Sequence, residues 1–335
     1  MKKITAVLLI LLLMGMLPGA VGEELTRVRV SEVTHSVFSA PQYAALALGF
    51  FEEEGLAVDL INGGGADKVM TSVLTGEVDI GLAGPEACIY VLLEGHDDAP
   101  QVFAQLTCRD GSFLVGREKE TFSWENLRGK HIIGGRKGGM PEMTLEYVMK
   151  QHGVIPHEDA DVDTSVQFNM MAGAFIGGDA DYVALFEPTA TEAELAGQCV
   201  VLTSIGEESG EIPYTAYFAK QSFLRDGADI VQRFTNAVAR GQQWVYEHTD
   251  EEVAQAILSA FPDTSLEVMT RVVARYRGIE AWNRTPVMKQ EALEMLETVM
   301  ESAGELESRV EFEALVDNSF AQRGTEKSAV PQKTS

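Results

Sequence analysis

Histidine and cysteine are scarce, and their scarcity removes several chemistries. The six histidines show no H-x-x-x-H or H-E-x-x-H spacing, so no zinc-hydrolase pattern is written in the chain. Cys88, Cys108 and Cys199 are odd in number and far apart. A chain this long is expected to hold together by its core and not by a disulfide framework, with each cysteine a small buried residue. The sequence leaves one pairing open. A G-x-S-x-G elbow is missing, and so is any Cys and His in a recognisable catalytic context. Asp159-x-Asp161-x-Asp163 begins like a calcium loop. Thr164 stands where the turn glycine belongs, and Met170 where the bidentate glutamate does. No catalytic set, no metal and no cofactor is expected.

Positive charge is the other shortage. Lys and Arg number 26 against 51 Asp and Glu, for a formal charge of −25, or −27 without Lys2 and Lys3. That balance argues against nucleic acid or an anionic membrane surface as partner. Long apolar runs are missing except at the start. Lys2 and Lys3 precede an apolar run from Ile4 to Leu17, Pro18-Gly19 breaks it, and Ala20-Val21-Gly22 offers small residues for cleavage. This is the order of a secretory signal, too short to span a bilayer comfortably. No cysteine follows it to carry a lipid. The expectation is export across the cytoplasmic membrane, to a periplasmic or extracellular location.

Beyond the signal the chain alternates strands and helices. Strands are expected at 27–33, 56–61, 78–82, 101–106, 113–115, 131–133, near 164–168, at 182–185, 200–203 and 214–219, with helices between most of them. Helices are also expected at 40–53 and 141–152. This order reads as α/β with mostly parallel sheets. From Ser222 onward the pattern is helical, at 228–247, 250–260, 264–276 and 286–303, most simply covering the first sheet. Residues from about Gln322 are polar and expected to be disordered.

Two features stand out. Strand 131–133 runs into Gly134-Gly135-Arg136-Lys137-Gly138-Gly139, and Pro141 opens a helix. Bare glycine amides at a helix N-terminus suit an anion. The other reading is a tight turn with solvated basic side chains. The run is neither a P-loop, since no Lys-Ser or Lys-Thr follows it, nor a dinucleotide fingerprint, since its spacing fails. The second feature is an echo. Gly76-Glu77-Val78-Asp79 parallels Gly178-Asp179-Ala180-Asp181, and each precedes a strand and a Pro–Glu pair. Two similar lobes are the simplest account.

Ala40 to Leu56, which is the most specific, Leu74 to Gly81, Trp124 to Lys130, and Phe186-Glu187-Pro188 together resemble one family, the binding proteins of nitrate, sulfonate, taurine and thiamine-precursor ABC importers. The resemblance covers nearly all the mature chain. It implies a type II periplasmic-binding-protein fold, with two lobes joined by two crossovers and ligand closed between them. The organisation then expected is a signal at 1–22, a first lobe at 23–109 and 214–321, a second lobe at 110–213, and a tail at 322–335. The implied function is delivery of a small polar or ionic organic ligand, of aminosulfonate or thiamine-precursor pyrimidine type, to an ABC permease by a monomer. A fungal thiamine-pyrimidine synthase is the enzymatic alternative, but the cysteine cluster of that branch is missing.

Ligands in such folds sit at the carboxyl ends of parallel strands. The candidates there are Ser36, Phe38 and Tyr43 in the first loop and helix, Gly84 and Glu86, Thr107, Arg136, Gly138 and Gly139, Glu187, and Tyr214. Phe38 and Tyr214 could stack on a planar ligand. Tyr43 also fits core packing, Glu86 fits dipole stabilisation of its helix, and Glu187 fits a helix cap or a hinge contact. Arg275-Tyr276-Arg277 and Trp282 read as packing and surface.

Overall fold

A computed structural model describes residues 24–329. The expected signal at 1–22 lies outside the described residues, as does the end of the tail. Among the described residues ten strands form two sheets. They are β1 (Thr26–Glu32), β2 (Leu56–Asn62), β3 (Ile80–Ala83), β4 (Pro100–Thr107), β5 (Ser112–Gly116), β6 (His131–Ile133), β7 (Asp161–Asp163), β8 (Tyr182–Phe186), β9 (Val200–Ser204) and β10 (Thr215–Lys220).

The sheets share one plan. Their orders are β2-β1-β3-β10-β4 and β7-β6-β8-β5-β9. In the first, β1 runs parallel to β2 and β3, and β10 is the antiparallel strand. In the second, β6 runs parallel to β7 and β8, and β5 is the antiparallel strand. The sequence echo has a structural cause. Asp79 accepts from the Arg29 amide at 2.9 Å and from the Arg29 guanidinium at 2.6 Å. Asp181 accepts from the His131 amide at 3.0 Å and from Lys130 Nζ at 3.0 Å. Each aspartate ties the segment leading into its strand to the neighbouring central strand.

The chain passes from one sheet to the other between β4 and β5 and returns between β9 and β10. These crossovers are bonded to each other. Ile212 N–H donates to Cys108 O at 2.9 Å, and Tyr214 N–H donates to Thr107 O at 3.2 Å. Cys88, Cys108 and Cys199 are buried and unpaired.

Four expectations need correction. The strand sought at 164–168 is Asp161–Asp163, and Phe168–Met170 is a turn of 3₁₀ helix. The helix sought at 40–53 breaks into Ala40–Ala47 and Phe50–Glu53, because Gly49 takes a positive φ of 76°. The tail expected to be disordered from 322 is helical over Ser319–Ser328. Its polar composition hides a narrow stripe of Phe320, Ala321 and Gly324, buried against the helix Ala228–Glu247. Lys327 adds an ion pair to Glu54 at 2.6 Å. Finally, the C-terminal helices do more than cover the first sheet. Leu266–Gly278 packs on Thr189–Leu195, and Gln290–Ala303 packs on Met140–Gln151, so both reach the second half.

Candidate functional site

A cleft opens between the two sheets. Three helices begin at its wall: Ala66–Thr75, Glu86–Leu93 and Met140–Gln151. Each follows a parallel strand, so the cleft lies at the carboxyl ends of β2, β3 and β6. The two halves touch on both flanks. On one, Ser36 Oγ donates to Glu187 O at 2.7 Å, and Glu187 N–H donates to the Tyr276 hydroxyl at 2.9 Å. On the other, the Tyr90 hydroxyl donates to Gly138 O at 3.1 Å, and Lys150 Nζ donates to Ser302 O at 2.6 Å.

Seven of the candidates read from sequence line this cleft: Ser36, Phe38, Gly84, Glu86, Arg136, Gly139 and Tyr214. Four do not. Tyr43 lies under the wall and donates to Glu32 at 2.7 Å. Thr107 meets Thr215 Oγ1 at 2.7 Å and so fixes a residue that does line the cleft. Gly138 spends its amide on Glu142 Oε2 at 3.0 Å. Glu187 is wholly enclosed and paired with Arg275 at 2.5 Å. The tripeptide read as packing and surface thus supplies a bridge between the halves. Trp282 also positions the wall, since its Nε1–H donates to Phe38 O at 2.9 Å.

The glycine loop is less bare than its sequence suggests. Gly134 N–H donates to Asp163 O, Gly138 N–H to Glu142, and Gly139 N–H to Arg136 O. What remains prominent at this wall is the Arg136 guanidinium. Its ion-pair partner Asp67 stands across the cleft at 4.0 Å.

Sequence reasoning missed three groups of lining residues. Gly64, Gly65 and Asp67 belong to a strand–glycine–helix unit of the same form as the 134–141 loop, which was the available signal. Phe186 precedes Glu187 at the end of β8, and its ring lines the cleft. Phe168 and Gln167 follow the misplaced strand and carried no signal. Together Phe38, Phe168, Phe186 and Tyr214 form a continuous aromatic wall, with ring centroids 5.3–6.1 Å apart and mostly tilted or edge-on. Such a wall favours a ligand with an apolar or planar body.

The titratable groups lie beside it. Glu86 is 1% exposed, and burial raises its carboxyl to about 7 against the pull of Arg136. Asp110, in the first crossover, is raised to about 6, also by burial. His35 faces Glu32 Oε1 at 3.2 Å and Ala260 O at 2.7 Å, two acceptors that favour its charged form. Its pKa is raised, chiefly by Glu32 and against its burial.

These shifts share a sign. A carboxyl raised on folding holds its proton better in the folded state, so its contribution is present at low pH and is lost as pH climbs from the unfolded value to the folded one. A raised histidine contributes fully below its unfolded value and loses that as pH passes its folded value. The ligand-free protein is therefore expected to melt several degrees lower at pH 8 than at pH 5 in calorimetric scans at constant ionic strength. Glu86→Gln is expected to remove part of that slope. A flat profile goes against the burial assigned to these groups.

Known proteins share this fold. Residues 37–252 match the family described as NMT1/THI5 like. The protein YtlA of Bacillus subtilis (strain 168), named as a binding protein, is 44% identical over 304 residues, covering 90% of this chain and 91% of its own. The periplasmic nitrate-binding protein NrtA of Synechocystis PCC 6803 superposes with a TM-score of 0.73 at 16% identity, over 92% of this chain and 90% of that one. The alkanesulfonate-binding protein SsuA of Xanthomonas axonopodis pv. citri, solved bound to MOPS, gives 0.72 at 15% identity, over 88% and 99%. The two structural matches establish the periplasmic-binding-protein fold, and the sequence matches establish that this chain belongs to the NMT1/THI5-like family.

Proposed function

We propose that the chain is an extracytoplasmic solute-binding protein that carries a small organic ligand to an ABC importer. The observation that bears most weight is the cleft. It is walled by both halves, faced with four aromatic rings, and placed at strand ends. Binding would draw the halves together about the two crossovers, and the closed form would present both halves to a permease. The family match and the binding-protein relative support this reading over an enzyme. The protein is expected to act as a monomer.

The ligand we infer has two ends. An acidic or strongly accepting end meets Arg136, where a charge-assisted bond is available. A planar or apolar middle lies along the aromatic wall. An aminosulfonate or an aminopyrimidine of the thiamine-precursor type fits this description. Mass spectrometry of small molecules released on denaturing the purified mature protein tests the reading. The expected result is a stoichiometric polar compound, or, from stripped protein, a calorimetric response to one of these classes. An empty protein that answers to no small polar compound would sink it.

A further inference from the structure

The donor-seeking part of the cleft is marked by a pair of buried polar atoms without hydrogen-bond partners. Glu86 Oε2 and the Tyr214 hydroxyl each lack a hydrogen-bond partner, and both residues line the cleft. Glu86 is 1% and Tyr214 4% exposed. Oε2 lies against Gly84, another residue of the wall, where an added Cβ would stand 1.9 Å from it. The glycine at 84 thus makes the room in which the carboxyl sits. Behind Tyr214 the Asp110 carboxyl lies within interacting range of the phenol. An enclosed polar atom without a partner costs roughly 1–3 kcal/mol, so such groups persist where a ligand completes them.

We propose, on the reading of the cleft given above, that Glu86 and Tyr214 are the specificity-determining end of the site and take an N–H group on a planar ligand. An amino, amidine or protonated amine substituent supplies the donor that Oε2 lacks. Glu86 at the first position of its helix is otherwise explained by the dipole alone. A dipole partner, however, has no need to be enclosed with one oxygen unsatisfied.

The test uses thermal shift and calorimetry with four probes: benzamidine, 4-aminopyrimidine, benzenesulfonate and nitrate. The first two are expected to stabilise the protein at pH 8 and to lose that effect in Glu86→Gln, whereas any response to the last two, which can reach Arg136, is expected to survive that substitution. Glu86→Gln is expected to weaken benzamidine at least tenfold, and Tyr214→Phe to weaken it severalfold. Glu86→Gln should not lower the melting temperature of ligand-free protein, because Oε2 has no partner to lose, while Tyr214→Phe also gives up the phenol's interaction with Asp110 and is read by affinity alone. Benzamidine stays cationic across pH 6–8, so its affinity should rise with pH as Glu86 ionises, and this rise should vanish in Glu86→Gln. The groups facing Glu86 are Arg136, Tyr90, Cys88 and Tyr214, with Asp110 behind. The thiol and both phenols are pushed above their ordinary values, and Asp110 titrates lower than Glu86. Stabilisation by nitrate or benzenesulfonate alone overturns the subsite, as does benzamidine binding that ignores both substitutions. If no probe binds but the protein releases another compound on denaturation, the subsite fails and the receptor reading stands. If neither occurs, both fail.

Discussion

Arg275→Met is expected to lower folding stability by about 3 kcal/mol, because it strands an enclosed carboxylate. The Glu187 side chain has no exposure, and its charge is met by Arg275 Nη1 at 2.5 Å. Thr191 helps, giving Glu187 its amide at 2.9 Å and its hydroxyl at 2.8 Å. Two hydrogen bonds from a neutral neighbour do not replace a counter-charge. Breaking a buried pair from one side costs about 3–5 kcal/mol. The surviving Thr191 bonds and the partial exposure of Arg275 place this case at the low end. Arg275 also reaches Glu194 at 3.3 Å, but Arg271 holds that carboxylate at 2.5 Å, so its loss there is small. The measurement is a urea titration, in which the midpoint should fall with the slope unchanged. Arg275→Met combined with Glu187→Leu should recover most of the loss, since a packed apolar pair can equal a buried ionic one. If the double variant is no better than the single one, the cost lies in packing around Arg275 and not in the stranded charge.

Arg275 also marks the boundary of what the sequence could tell. Strand order, helix order and the repeat of two lobes are local properties. Alternation, glycine stops and prolines at helix starts reveal them, and the Asp79 and Asp181 echo is one such local device. The Glu187–Arg275 pair joins residues 88 positions apart, and neither carries a neighbouring signal that it will meet the other. A carboxylate before a proline at a strand end looks the same whether it faces a ligand or a guanidinium. Glu86 was legible as a candidate but not as the more telling one. What separates it from Glu187 is whether the structure supplies a partner, and only the folded chain decides that. The glycine loop erred for a related reason. Glu142 follows Gly138 by four residues, close enough to take the amide that an anion would need. The first three residues of that helix hid a competitor in plain view.

Gly206→Ala is the second substitution expected to have a large effect, and its cause is backbone contact at the crossovers. A Cβ built on Gly206 would stand 2.0 Å from Asp110 O and about 3 Å from Asp110 C and N. Its φ is not in the left-handed region, so the glycine is there for space and not for conformation. Gly206 is the second residue of the short helix Ile205–Ser209 at the start of the return crossover, and Asp110 lies in the outward one. The two segments are pressed together where the halves join. Overpacking a well-filled site typically costs about 1–3 kcal/mol by displacing side chains, and here the obstacle is main chain, which yields less readily. The displaced Asp110 also anchors β5, since its Oδ1 accepts from the Ser112 amide at 2.6 Å and from the Ser112 hydroxyl at 2.5 Å. Gly206→Ala should therefore lose about 3 kcal/mol or more. The protein that does fold should also bind its ligand more weakly, because Tyr214 follows in the same crossover. Gly197→Ala is a fitting control for stability, since a Cβ there meets nothing within 4 Å and only its positive φ of 69° is strained. The control should cost about 1 kcal/mol and leave affinity alone. Equal losses in both variants would mean that the crossovers can separate freely, and that their contact does not set how the halves meet.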